Sequence, residues 1–194
     1  MWKKKDQPSA QPQKATPQKA APRHLVGHPD RKRRGEASEA EFLARASGLG
    51  LPVAKPWGES DPYDALVRFA NRAGAIFWRV QVKCASYYHR GQYLVKAGGD
   101  THNYTKDDID FLAAHVVPDN IWYILPIEAF AGRTMLHLCP HGTGKAKYEK
   151  YREAWCLLAC KPMARGWKDI PTVCRCRELP TRCAVCPRVA LAPS

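Results

Sequence analysis

The stretch Tyr63-Asp64-Ala65-Leu66-Val67-Arg68-Phe69, then Ala70-Asn71-Arg72-Ala73-Gly74, then Ile76-Phe77-Trp78-Arg79-Val80-Gln81-Val82-Lys83, decides the reading of this chain. Two short apolar runs joined by turn-forming residues predict a β-hairpin. Side chains alternate along a strand, so Ile76, Trp78, Val80 and Val82 share one face and Phe77, Arg79, Gln81 and Lys83 the other. A turn centred between residues 72 and 73 sets Asp64 opposite Gln81. Asp64, Gln81 and Lys83 then share a face, within reach of one another across the pair. One reading is a solvated cross-strand ion pair worth roughly 0.2–1 kcal/mol. The other is a divalent-cation site suited to phosphodiester chemistry, built from a carboxylate, an amide and an ammonium.

Three features favour the second reading. The second strand carries four large apolar residues on its opposite face, so the hairpin belongs to a core. A helix bearing acids precedes it. The chain is strongly basic, with a net charge of +13 over 194 residues.

That charge is unevenly spread. Residues 1–34 hold ten Lys/Arg against two Asp, and residues 161–194 hold seven Lys/Arg against one Asp and one Glu. Residues 35–160 hold fourteen of each sign. A polyanion would therefore be gripped mainly by the two ends, while the neutral middle carries the specific chemistry. The length allows one domain with tails. No stretch approaches the roughly 18–20 apolar residues of a membrane span. Lys3-Lys4-Lys5 leads into Gln, Pro and Ala rather than an apolar segment, unlike a secretory signal. Eight cysteines without such a signal point to reduced thiols or metal ligation. The chain reads as an intracellular, cytoplasmic protein with no membrane segment.

Residues 1–34, with five prolines, four glutamines and no hydrophobic period, read as a disordered basic arm. The arm ends in Arg31-Lys32-Arg33-Arg34, either a charged linker or a contact for DNA phosphates. Residues 35–160 form the predicted α/β domain and residues 161–194 a basic, Cys-rich tail. Glu36 to Ser47 reads as a helix closed by Gly48 and Gly50. At 100° per residue, Glu39, Leu43 and Ala46 fall within about 40° of one another. An acid on that stripe needs a metal or a lysine to compensate it. Glu39 is the candidate, Glu36 an alternate and Glu41 a surface residue.

Further along, Leu51–Lys55 and Gln92–Ala97 are predicted strands, the latter after a turn at Arg90-Gly91. Thr105 would cap a helix running to about His115. Ile121–Leu125 and Thr134–Cys139 are strand-length runs. Tyr148, Tyr151, Trp155 and Leu158 recur at a helical period. The predicted order is helix, hairpin, strand, helix, two strands, helix: a mixed sheet flanked by helices.

These residues resemble the PD-(D/E)XK nuclease superfamily, and within it the endonucleases associated with group I introns. The resemblance rests on Gly35-Glu36-Ala37-Ser38-Glu39, Tyr63-Asp64-Ala65-Leu66-Val67 and Trp78-Arg79-Val80-Gln81-Val82-Lys83. Asp110-Phe111-Leu112-Ala113-Ala114 and Ile121-Trp122-Tyr123-Ile124-Leu125-Pro126 add to it, and together these stretches span roughly residues 35–158. The resemblance implies a restriction-endonuclease-like fold with a mixed β-sheet core flanked by helices. It also implies Mg²⁺ held with the help of Glu39 and Asp64, and Lys83 positioning or activating the attacking water. Tyr63 stands where the family name has proline, and Gln81 where it has the second acid. An amide oxygen can still ligate a hard cation, with one negative charge fewer. The intron-associated relatives also carry Gln at this place.

The expected function is Mg²⁺-dependent hydrolysis of double-stranded DNA, homing-endonuclease-like, with a homo-oligomer expected because cutting both strands would need two active sites; whether one strand or both are cut stays open. A catalytically inactive nucleic-acid-binding adaptor and a structure-selective junction resolvase stay open as alternatives. Tyr87, Tyr88, His89 and Arg90, on the turn beyond the hairpin, are either DNA contacts or an ordinary solvated tip. His115, His137 and His141 read as structural or surface residues. Cys174, Cys176, Cys183 and Cys186 have the two-plus-two grouping of a Zn²⁺ site, although the first pair is spaced too closely and the loop is short. Their alternative is a basic tail with reactive thiols. Cys156 and Cys160 are expected to pack on the final helix.

Overall fold

The hairpin read from the sequence is the centre of the fold. The computed structural model describes residues 31–71, 74–99, 102–142 and 146–159. Strands β2 (Ala65–Asn71) and β3 (Gly74–Ala85) pair antiparallel, with Ala65 opposite Val80 and Val67 opposite Trp78. This is the register expected from a turn at residues 72–73. Short β1 (Val53–Ala54) flanks β2, and β6 (Phe111–Val116) and β7 (Ile121–Pro126) complete a five-stranded sheet in the order β1-β2-β3-β6-β7. The β3–β6 pair is parallel and the other pairs are antiparallel, so the sheet is mixed.

A separate three-stranded sheet holds β4 (Tyr88–His89), β5 (Gln92–Lys96) and β8 (Met135–Leu138), in that order. Arg90 and Gly91 both take positive φ, 47° and 83°, and join β4 to β5. A two-residue turn with both φ positive matches the natural twist of a hairpin. The parallel crossover from β3 to β6 therefore runs through a hairpin, where a helix is the usual device.

Helix α1 (Arg31–Gly48) buries Ser38, Phe42 and Ala46, spaced four residues apart along one face. It begins at Arg31 rather than at Glu36. The basic cluster Arg31–Arg34 thus forms the helix's first turn and not a linker before it. Gly50, at φ 78°, closes the end, with Leu51 N donating to Ala46 O at 3.0 Å. Phe42 packs between Trp122 and Trp155, with ring centroids 5.8 and 5.5 Å away. Truncating it to alanine would cost about 3–5 kcal/mol.

Two predicted helices are not helices. Thr105 does cap a turn: Asp107 N donates to its Oγ1 at 3.2 Å, and Asp108 Oδ2 accepts from its backbone N–H at 2.8 Å. The turn then ends, and Phe111–Val116 is strand β6. All of its residues are buried, because the sheet is covered on both faces. A continuous apolar run is what such a strand looks like, and periodicity cannot separate it from a buried helix.

Residues 148–159 likewise form two 3₁₀ turns, Glu149–Tyr151 and Trp155–Ala159. Between them Arg152 bridges to Tyr123 and Glu153 N donates to Trp122 O at 2.7 Å. Pairing with the open edge of β7 displaces the helical pattern, and Glu153 takes a left-handed φ of 48° to make it. Among the described residues no helix is long and apolar enough to cross a membrane.

Candidate active site

The β3–β6 register places Val80 beside Phe111, Val82 beside Ala113 and Cys84 beside His115. His115 meets Ser38 of α1, its Nδ1 3.1 Å from the hydroxyl, so α1 covers that face. Gln81 and Lys83 lie on the other face, beside Leu112 and Ala114. Asp64 stands just before β2, its N–H donating to Val80 O at 2.9 Å.

Asp64 Oδ2 accepts the backbone N–H of Val82 at 2.7 Å and a hydrogen bond from the Gln81 amide. Gln81, 7% exposed, also donates to the Val82 carbonyl at 3.3 Å. The carboxylate is thus fixed by the strand it faces. Burial pushes its pKa up to about 6, against the Val82 N–H, which lowers it. Glu39 pushes it further up, while Lys83 and Lys55 pull it down. These four charged groups therefore share one electrostatic neighbourhood.

Glu39 does not sit on the buried stripe of α1. That stripe is Ser38, Phe42 and Ala46, and Glu39 lies on its flank, where Lys55 Nζ bonds to it at 2.7 Å. The contact holds the Lys55 pKa above its ordinary value. Lys55 went unnoticed in the sequence. It follows β1, whose pairing of Ala54 with Leu66 brings the next residue level with Ala65, beside Asp64. Glu36 is exposed near Lys32, and Glu41 is exposed, as expected.

Lys83 is half-buried with its Nζ 5.8 Å from the Tyr104 ring centroid, a cation–π distance. Tyr104 also escaped the sequence reading. Its loop is fastened to β3 by Arg79, which donates to both Asp110 carboxylate oxygens at 3.1 Å, to the Lys106 carbonyl at 2.6 Å and to the Asp107 carbonyl.

Other candidates fall outside this cluster. His89 and Arg90 are exposed at the β4–β5 turn, with Tyr87 stacked on His89 at 6.1 Å. Arg31, Lys32 and Arg33 are exposed on α1. His115 is buried, donates through Nε2 to Asn120 Oδ1 at 3.1 Å and stacks on Trp122 at 4.2 Å. Burial holds its pKa below the usual value, which suits a structural imidazole. His137 pairs with Gln92 at 2.6 Å and His141 with Asp119 at 2.9 Å. Cys156 is buried, whereas Cys160 and the Cys174, Cys176, Cys183 and Cys186 group lie outside the described residues.

Among the described residues, no three His, Cys, Asp or Glu side chains form a cation cage. The site instead brings together the carboxylates of Asp64 and Glu39, the Val82 carbonyl and the Gln81 amide, whose NH₂ faces Asp64 and Val82 and whose oxygen would face a cation once the amide is turned over. This all-oxygen set fits a hard divalent cation. A half-buried Asp64 with a raised pKa is a carboxylate short of positive charge, which such a cation would supply.

A mixed sheet whose central hairpin ends in Asp, Gln and Lys, flanked by an acid-bearing helix, defines a restriction-endonuclease-like nuclease fold. A family model described as PD-(D/E)XK endonuclease matches residues 29–158, and the chain belongs to that family. It is also similar to the solved structure of a bacterial homing endonuclease, I-Ssp6803I, at 29% identity and a TM-score of 0.54. That match covers 66% of this chain and 89% of the other. No curated protein matches the chain.

Proposed function

We propose that this chain is a Mg²⁺-dependent endonuclease that hydrolyses phosphodiester bonds of double-stranded DNA, in the manner of a homing endonuclease. The observation that carries it is the bonding of Asp64 to Gln81 and Val82 with Glu39 and Lys83 in its electrostatic neighbourhood. The net charge of +13 supports a polyanionic substrate.

Asp64, the Gln81 amide oxygen, the Val82 carbonyl and Glu39 are the residues that would hold the cation. When bound, Mg²⁺ neutralises charge developing on the phosphate. Lys83 orients the attacking water and stabilises its hydroxide form, and Tyr104 keeps the ammonium in place. The water oxygen forms a new bond to phosphorus as the bond to the leaving sugar oxygen breaks, and that oxygen ends protonated. Lys55 holds Glu39 against the site edge.

The basic first turn of α1, the His89–Arg90 turn and the charged ends of the chain supply backbone contacts that do not depend on sequence. Cutting both strands takes two such sites, which a homo-oligomer provides.

Supercoiled plasmid incubated with Mg²⁺ or EDTA, beside Lys83→Ala, tests the proposal. Nicking or linearisation that needs both Mg²⁺ and Lys83 is expected. Binding without cleavage under every condition would sink it in favour of the adaptor.

A further inference from the structure

Trp57 is 99% exposed, the most exposed large apolar side chain among the described residues. An indole so placed leaves a large apolar area for a partner to cover. Its loop, residues 56–63, is anchored to the site at both ends. Before it, Lys55 bonds to Glu39 at 2.7 Å. After it, Asp64 bonds through its N–H to Val80 O at 2.9 Å. Two peptide steps keep the Trp57 Cα within about 7 Å of the Lys55 Cα. Gly58, at φ 84°, turns the chain just beyond the indole, a conformation glycine adopts without strain.

The same loop is tied to the basic end of α1. Lys32 Nζ lies 3.5 Å from Glu59, and Arg31 and Arg33 are exposed in the same helical turn. Cations for phosphates and an apolar ring for bases thus flank the loop that leads into Asp64. Along the duplex axis, successive phosphates of one strand rise by about 3.4 Å per step. Trp57 therefore stands within a few base steps of any phosphate held at Asp64.

We infer that Trp57 is a base-stacking wedge that engages duplex DNA beside the phosphate to be cleaved. The inference rests on the reading of duplex DNA as the substrate. Apolar side chains inserted at a base step unstack it and bend the duplex. In this chain the bend would open the backbone toward Asp64 and Lys83. Cleavage preference would then depend on how easily the neighbouring step unstacks, with pyrimidine–purine steps the most compliant.

The test uses the full chain with a short mixed-sequence duplex, Ca²⁺ replacing Mg²⁺ to hold back cleavage. Subtracting the emission of Trp57→Phe from that of the wild type isolates the Trp57 signal. With saturating duplex, that signal should be quenched and shielded from acrylamide. Trp57→Ala should weaken binding roughly 5- to 150-fold, the range for one lost base–aromatic stack, with Trp57→Phe between it and wild type. Because the side chain is exposed, the melting temperatures of both variants should match the wild type.

Trp57 emission unmoved at saturating duplex, in a protein that still cuts plasmid with Mg²⁺, overturns the wedge and leaves the nuclease reading intact. Shielding that follows protein concentration without DNA also overturns it, in favour of self-association. A wild-type chain that neither binds nor cuts duplex overturns the substrate reading itself.

Discussion

Asp64 and Glu153 are both partly buried carboxylates that accept a backbone N–H from a strand of the central sheet, yet they are completed differently. Glu153 takes the Trp122 N–H at 2.8 Å, the Trp155 indole N–H at 2.9 Å and the Arg45 guanidinium at 2.9 Å. Its charge is matched inside the protein, and its work is to lock the final segment onto α1 and β7. Asp64 takes the Val82 N–H and the Gln81 amide. Among the described residues, no Lys or Arg forms an ion pair with it. Glu153 arrives with its cation, while Asp64 is left short of one. Perturbed acids gather at functional sites for this reason.

Substitution at each carboxylate separates the two roles. Asp64→Asn or Lys83→Ala should lower plasmid cleavage by at least about 10²–10³-fold, the scale for losing one electrostatic group in a transition state. Global stability should barely fall in either variant. Glu153→Ala should do the reverse. Two N–H donors and Arg45 lose their partner, so the urea midpoint should drop by an amount equivalent to about 2 kcal/mol. Below its unfolding transition the variant should still cut. Equal loss of activity and stability at both positions would erase the distinction.

A pH series sharpens it. Asp64 titrates at about 6 in the folded protein against 3.8 ordinarily. A raised carboxyl pKa favours the folded state while both states are protonated, and that contribution is lost as pH rises from about 4 through about 6. With EDTA present, wild-type stability should therefore decline across that window by roughly 1–2 kcal/mol, after allowance for partial exposure. Asp64→Asn should flatten this part of the profile, whereas Glu153→Gln should leave it in place.

The smallest effect is predicted at Tyr104. Tyr104→Leu removes the ring near Lys83, worth about 0.5–1 kcal/mol, so kcat should fall two- to fivefold with little change in KM. Tyr104→Phe keeps the ring and should keep most of the rate. A rise in KM alone would show that the loop binds DNA rather than steadying Lys83.

How far these residues could be seen in advance depends on how local their signals are. The hairpin was legible because alternation and a turn signal lie within one short stretch, and the register followed from them. Asp64, Gln81 and Lys83 came with it, and the PD-(D/E)XK family was legible from the same residues. Lys55 and Tyr104 were not, because long-range events deliver them: the pairing of β1 with β2, and the Arg79 clamp on the loop before β6. Phe111–Val116 was misread for a related reason. Its burial on both faces exists only once β3 and β7 are beside it. The segment at 148–158 carries helical spacing, but Glu153 serves the edge of β7 instead. Local periodicity failed wherever tertiary pairing offered the backbone better partners.

The account turns on Asp64 as the carboxylate that a cation completes. Calorimetric titration of Mg²⁺ into the wild type, Asp64→Asn and Glu153→Gln addresses that directly. Saturable binding in the wild type and Glu153→Gln, lost in Asp64→Asn, is the predicted result. Undiminished Mg²⁺ binding by Asp64→Asn would contradict the assignment of the site.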